Sequence, residues 1–165
     1  MDQNRAHALA WAQGLADTDE RERVLVEILS RVAQTDPAAA VRLRQEITRD
    51  QWDDSELTNL AQRWAESDLG SVLGWIDSLP PGAQRDQLTA RAAFIQSQNN
   101  PAEAAQLVMD RVPPGEAQTE ALISVVHQWA QRDPDAASAW VESIPERLLR
   151  ERAAQELEAA SRARP

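Results

Sequence analysis

Four carboxylates crowd one short stretch of this 165-residue chain, Asp50, Asp53, Asp54 and Glu56, and Trp52 stands among them. Carboxylates this dense could hold a cation or a basic peptide, and tryptophan is frequent where one protein grips another. A calcium loop needs a glycine turn and oxygen ligands at alternate positions, and neither is present here. The cluster reads as a solvated turn rich in helix caps. Trp52 has two readings, an exposed binding anchor or a hydrophobic staple packed just before a cap. Asp50, Trp52, Asp53 and Asp54 are the candidate partner-binding residues.

Other chemistry is sparse. His7 and His127 are the only histidines, far apart and without a metal-binding neighbour at helical spacing. His127 falls on the flank of an apolar stripe and reads as a half-buried or surface residue. The absence of cysteine removes a thiol nucleophile, a disulfide framework and a thiolate metal site. No Gly-x-Ser-x-Gly elbow surrounds a serine, and the five glycines form no phosphate loop. All 17 basic residues are arginine, which excludes a lysine Schiff base. The expectation is a protein that is not an enzyme and holds no cofactor or metal. A net charge of −10 argues against nucleic acid, since phosphate binding needs a basic face. It favours a basic or neutral peptide or protein partner, whose association weakens as salt screens the attraction.

The elements that must position these residues are set by an internal repeat. A short dipeptide recurs about every 32 residues, as Asp36-Pro37, Asp68-Leu69, Asn100-Pro101 and Asp133-Pro134, with a degenerate copy at Asn4-Arg5. An Asp at the N-cap and a Pro at the first helical position together start a helix. Six positions after the second residue of each dipeptide stand Trp11, Leu43, Trp75, Leu107 and Trp140. Ten positions after it stand Leu15, Ile47, Leu79 and Ile144, with Val112 one residue late in the fourth copy. Alanines such as Ala38-Ala39-Ala40 and Ala104-Ala105 allow close packing. These residues describe a short helix B.

A second helix, A, precedes each dipeptide. Leu122, Val125, Val126 and Trp129 form the apolar stripe of one, and Leu57, Leu60, Ala61 and Trp64 that of another. Val24, Ile28, Val32 and Ala33 read the same way after Thr18 and Asp19, while Arg91 to Gln98 and Arg147 to Ala160 supply the rest. About ten alternating helices joined by two- to five-residue turns are expected, and no strand. Trp11, Trp64, Trp75, Trp129 and Trp140 all fall at repeat positions and read as core.

Trp129-Ala130-x-x-Asp133-Pro134-x-x-Ala137-x-x-Trp140, closing at Ile144-Pro145, resembles a bacterial tandem helical repeat that is similar to tetratricopeptide and HEAT-type solenoids. Trp64 to Pro80 matches it with Leu69 in place of proline. The tetratricopeptide pattern itself is not followed, because its Leu-Gly and tyrosine positions are missing. The resemblance implies a right-handed α-solenoid of about five stacked helix-turn-helix repeats, all-α, as one domain over residues 1–165. The chain begins inside a helix B and ends in a charged helix A, whose Arg150, Glu151, Glu156 and Glu158 suit a polar cap. That reads as an excerpt of a longer protein, or else as a natural solenoid with a missing half-repeat. No apolar run approaches the ~20 residues of a membrane span, and Met1-Asp2-Gln3-Asn4-Arg5 offers no signal-peptide core. Cytoplasm and periplasm are not distinguished. The expected function is a protein-interaction scaffold, or else a structural spacer or regulatory arm of a larger protein.

Overall fold

Each Asp-Pro or Asp-Leu dipeptide begins a helix for the reason its chemistry gives. In the computed structural model, which describes residues 2–46 and 54–162, the Asp36, Asp68 and Asp133 carboxylates each accept the amide hydrogen three residues on, at 2.9, 3.0 and 3.0 Å. Those amides are among the four that a helix start leaves without a backbone partner. Asn100 holds the same place without a side-chain cap, and Pro101 behind it needs none of its own. The helices so started are α3 (Pro37–Glu46), α5 (Leu69–Ser78), α7 (Pro101–Arg111) and α9 (Pro134–Glu142). With α1 (Asp2–Gln13) they are the B helices. The A helices are α2 (Thr18–Thr35), α4 (Asp54–Ser67), α6 (Ala83–Gln96), α8 (Glu116–Arg132) and α10 (Arg147–Arg162). The described residues contain no strand.

The A-to-B turn is tighter than the sequence implies. Only Asp36, Asp68 and Asp133 separate α2 from α3, α4 from α5 and α8 from α9. A single residue suffices because its backbone amide still bonds the outgoing helix while its carboxylate caps the incoming one, as Asp36 does to the Val32 carbonyl. The α2 stripe is also rotated by one residue from the expected one. Leu25 and Leu29 are buried with Val32 and Ala33, whereas Val24 and Ile28 are half-buried. The cap that starts α2 is Asp17, one place ahead of Thr18, and it accepts the Glu20 amide at 2.9 Å. α6 begins well before Arg91, at Ala83.

The B-to-A junctions carry a device of their own. Pro80-Pro81-Gly82 and Pro113-Pro114-Gly115 end in glycines at φ 153° and 156°, a region that a side chain rarely adopts. A Cβ at either glycine would meet nothing within 4 Å, so backbone torsion, and not space, calls for glycine. The junction between α9 and α10 lacks glycine, and Glu146 caps α10 instead by accepting the amides of Leu148 and Leu149. A second recurring contact closes the same corner. Arg21, Gln118 and Arg150 each donate to the carbonyl six residues earlier, at Leu15, Val112 and Ile144. Arg85 stands in that register after Leu79 but reaches Asp77 Oδ1 at 3.3 Å, where Arg111 also binds Oδ2 at 2.7 Å.

The chain divides into two compact units, residues 1–64 and 65–165. In the first, α2 packs on α1 and α3. In the second, α6 packs on α8 and α8 on α10, so the A helices lie in a row. α7 fits against α6 and α8, and α9 against α8 and α10, while α7 and α9 share no comparable contact. The core of this unit joins Ala104, Val108, Leu122, Val125, Val126, Trp129, Val141 and Ile144. The alanines expected to permit close approach do so, with Ala39, Ala40, Ala104, Ala105 and Ala137 buried.

The tryptophans divide. Trp64 and Trp129 are buried as expected, and Trp75 and Trp140 are half-buried. The Trp140 ring lies 6.0 Å from that of Trp129, tilted by 47°. Trp11 is 61% exposed, which corrects its reading as core. Ile47 lies outside the described residues.

Candidate functional site

The residues singled out for a partner are not those that the structure gathers. Asp50, Trp52 and Asp53 lie outside the described residues, as do the side chains of Asp54 and Glu56, although Asp54 opens α4. His7 is exposed on α1. His127 is half-buried, as its flank position predicted, and it lies at the centre of a groove.

This groove crosses the row of A helices in the second unit and encloses about 370 Å³. Its position follows from the stripe on α8. Leu122, Val125, Val126 and Trp129 turn into the core, so Ile123, Ser124, His127, Gln128 and Gln131 form the opposite face at three- and four-residue spacing. Phe94 from α6 closes one wall and Glu156 from α10 the other. The expected polar cap over α10 is thereby corrected in part. Glu151 and Glu158 are exposed, but Glu156 turns into the groove and Arg150 is half-buried against the Ile144 carbonyl.

A hydrogen-bonded chain spans the groove. Glu156 Oε1 lies 2.7 Å from His127 Nδ1, and Gln131 Nε2 lies 2.9 Å from His127 Nε2. Ser97, buried at the end of α6, sets its Oγ 2.7 Å from the Phe94 carbonyl and 3.1 Å from the Gln128 side-chain amide. Ser124 Oγ donates to the Glu120 carbonyl at 3.0 Å. The Arg91 guanidinium lies 5.6 Å from the centre of the Phe94 ring.

Ser124, His127 and Glu156 are the residue types of a nucleophilic triad, but their geometry is different. A triad requires the hydroxyl to donate to the imidazole. Here the Ser124 hydroxyl is turned to its own helix, and His127 Nε2 is engaged by Gln131. What the groove offers is a surface of fixed polar atoms beside two apolar side chains, Phe94 and Ile123. That is the composition of a binding site.

A second cavity of about 650 Å³ lies at the B-to-A turns, between Met109, Pro114, Glu146 and Leu149. Leu148 at its rim is 64% exposed. No group of His, Asp and Glu among the described residues is arranged to hold a metal ion. No helix of the described residues is long and apolar enough to cross a membrane.

Sequence reasoning placed His127 correctly on its helix but not against Glu156. The two residues are 29 positions apart, and no motif links them. Only the recurrence of Arg21, Arg85, Gln118 and Arg150 at the repeat period was a readable signal for the contacts that close the turns. The chain matches no family model, no curated protein and no solved structure.

Proposed function

We propose that this chain is a right-handed α-solenoid of about five stacked helix pairs, similar to tetratricopeptide and HEAT-type arrays, that serves as a protein-interaction scaffold and not as an enzyme. The stacking is supported within residues 65–165 by packing whose main contacts join helices one or two places apart in sequence, as in a linear array. In such a stack the layer whose helices touch lies on the inside of the curve. On this reading the A helices form the concave face, and the extended backbone of a partner peptide lies across them.

The observation that carries this reading is the groove over α6, α8 and α10. It pairs apolar walls with polar side chains anchored on neighbouring helices, which are the two ingredients of specific recognition. The Ser-His-Glu residues in it are spent on other bonds, which favours binding over catalysis.

Selection from a displayed library of random peptides tests the proposal. Peptides recovered on the wild-type chain should lose binding to Ser124→Trp, which fills the groove from an exposed position, while helicity and melting stay unchanged. A library that yields no binders, or binders indifferent to that substitution, would sink the groove-binding scaffold. The first of these results would leave the spacer or regulatory arm as the better account.

A further inference from the structure

We infer that the groove over α6, α8 and α10 is a subsite for an arginine side chain of the partner peptide, an inference that rests on the peptide-binding reading above. It follows from counting which polar atoms are already used. A hydroxyl has one hydrogen, and Ser97 Oγ has two acceptors within reach, the Phe94 carbonyl at 2.7 Å and the Gln128 amide at 3.1 Å. The shorter contact takes the hydrogen. The atom of Gln128 at 3.1 Å is its oxygen, which would then face Ser97 Oγ with no hydrogen between them, so we exchange the amide's oxygen and nitrogen, which sets the nitrogen on Ser97 Oγ and frees the oxygen.

The same hydrogen count fixes His127. Nδ1 faces a carboxylate oxygen, which only accepts, so Nδ1 carries hydrogen. The atom of Gln131 that faces Nε2 at 2.9 Å is its nitrogen, which only donates, so Nε2 accepts and the Gln131 oxygen is left unspent. Glu156 spends Oε1 on His127 and keeps Oε2. Ser124 has given its hydrogen to the Glu120 carbonyl and retains only lone pairs. The unspent atoms of Gln128, Gln131, Glu156 and Ser124 are therefore chiefly acceptors, and one carries negative charge. No arginine lines the groove.

A site made of acceptors calls for a ligand made of donors. A guanidinium presents five N–H groups in a planar fork, whereas an ammonium presents three from a single point. The acceptors here stand on two helices, Gln128 and Gln131 on α8 and Glu156 on α10, a spread that suits the fork. Phe94 and Ile123 supply the apolar wall along which an arginine stem lies. The chain's own Arg91 sets its guanidinium 5.6 Å from the Phe94 ring centre, so this ring is one that attracts a guanidinium.

The test titrates the full chain with the acetylated, amidated peptide Ala-Ala-Leu-Arg-Ala-Ala and with its lysine and citrulline counterparts. Calorimetry reads affinity, and the side-chain amide resonances of Gln128 and Gln131 report the place. The arginine peptide should shift those amides. Citrulline, which keeps the shape and drops the charge, should bind at least roughly tenfold more weakly, the loss of one charge-assisted hydrogen bond. Lysine should fall between. Glu156→Gln should weaken the arginine peptide by a similar factor, while Glu142→Gln, which removes the same charge from an exposed place on α9, should not. Equal binding of the citrulline peptide, or equal losses in the two variants, would overturn the inference. The citrulline comparison uses the unaltered chain, so it decides the matter even where Glu156→Gln fails to fold. Displayed peptides that bind the groove without arginine would retain the scaffold and remove the arginine subsite. A library with no groove binders would remove both.

Discussion

Trp129 and Trp11 show how far one side chain's role depends on its neighbour. Trp129 is 7% exposed, enclosed by the core of the second unit and by the tilted ring of Trp140. Trp11 is 61% exposed on α1. Emptying a large buried aromatic site costs about 3–5 kcal/mol, because both transfer energy and the surrounding contacts are lost. An exposed side chain removes neither, and its replacement stays within about 0.5 kcal/mol. Urea unfolding followed by far-ultraviolet circular dichroism should therefore move sharply for Trp129→Ala and scarcely for Trp11→Ala. The reverse order would refute the burial assigned to each. Trp140, half-buried, should fall between them, with the paired rings adding about 0.5–1.5 kcal/mol beyond burial alone.

Among the helices, the caps carry both the geometry and a pH dependence. Hydrogen bonds from Ser71 to Asp68 hold the Asp68 carboxyl below its ordinary value of 3.8. Its folded-state value thus lies below its unfolded one. The cap contributes its full stability above the unfolded value, and that contribution is lost as pH falls through the lower folded value. A carbon-detected titration should find the Asp68 midpoint below 3.8. Asp68→Asn keeps an acceptor at the cap and has no proton to bind, so the acid-side loss of stability should be shallower than in the wild type. A midpoint at or above the ordinary value would contradict the cap. The B-to-A turns reach the same end by different chemistry, glycine at Gly82 and Gly115 and a carboxylate at Glu146. The same kind of corner is thus started by different residue types.

At the scale of the whole molecule, one hydrophobic cluster lies wholly within the second unit, its buried members running from Ala93 to Ala160. The proposed solenoid would gain stability from each helix's neighbours and not from distant contacts. A fragment comprising residues 68–165, which retains the Asp68 cap, should be helical by circular dichroism and melt cooperatively. A fragment that is unfolded at room temperature would show that this core does not stand alone. The groove lies within the same span, so the folded fragment should also bind whatever groove peptides the whole chain selects.

Much of this was decided locally and was therefore legible. Asp36, Asp68 and Asp133 start helices through hydrogen bonds that reach three residues. The stripes Leu57 to Trp64 and Leu122 to Trp129 follow from a 3.6-residue turn that requires no knowledge of the partner helix. The one-residue rotation of the α2 stripe marks the limit of that reasoning, since apolar residues at Val24, Leu25, Ile28 and Leu29 fit two adjacent faces and only packing selects one. The exposure of Trp11 and the meeting of His127 with Glu156 belong to tertiary structure alone. Periodicity determines which face of a helix a residue occupies. Whether that face is covered, and which side chain stands opposite it, depends on the axial offset and angle at which separate helices pack, and no local sequence encodes either.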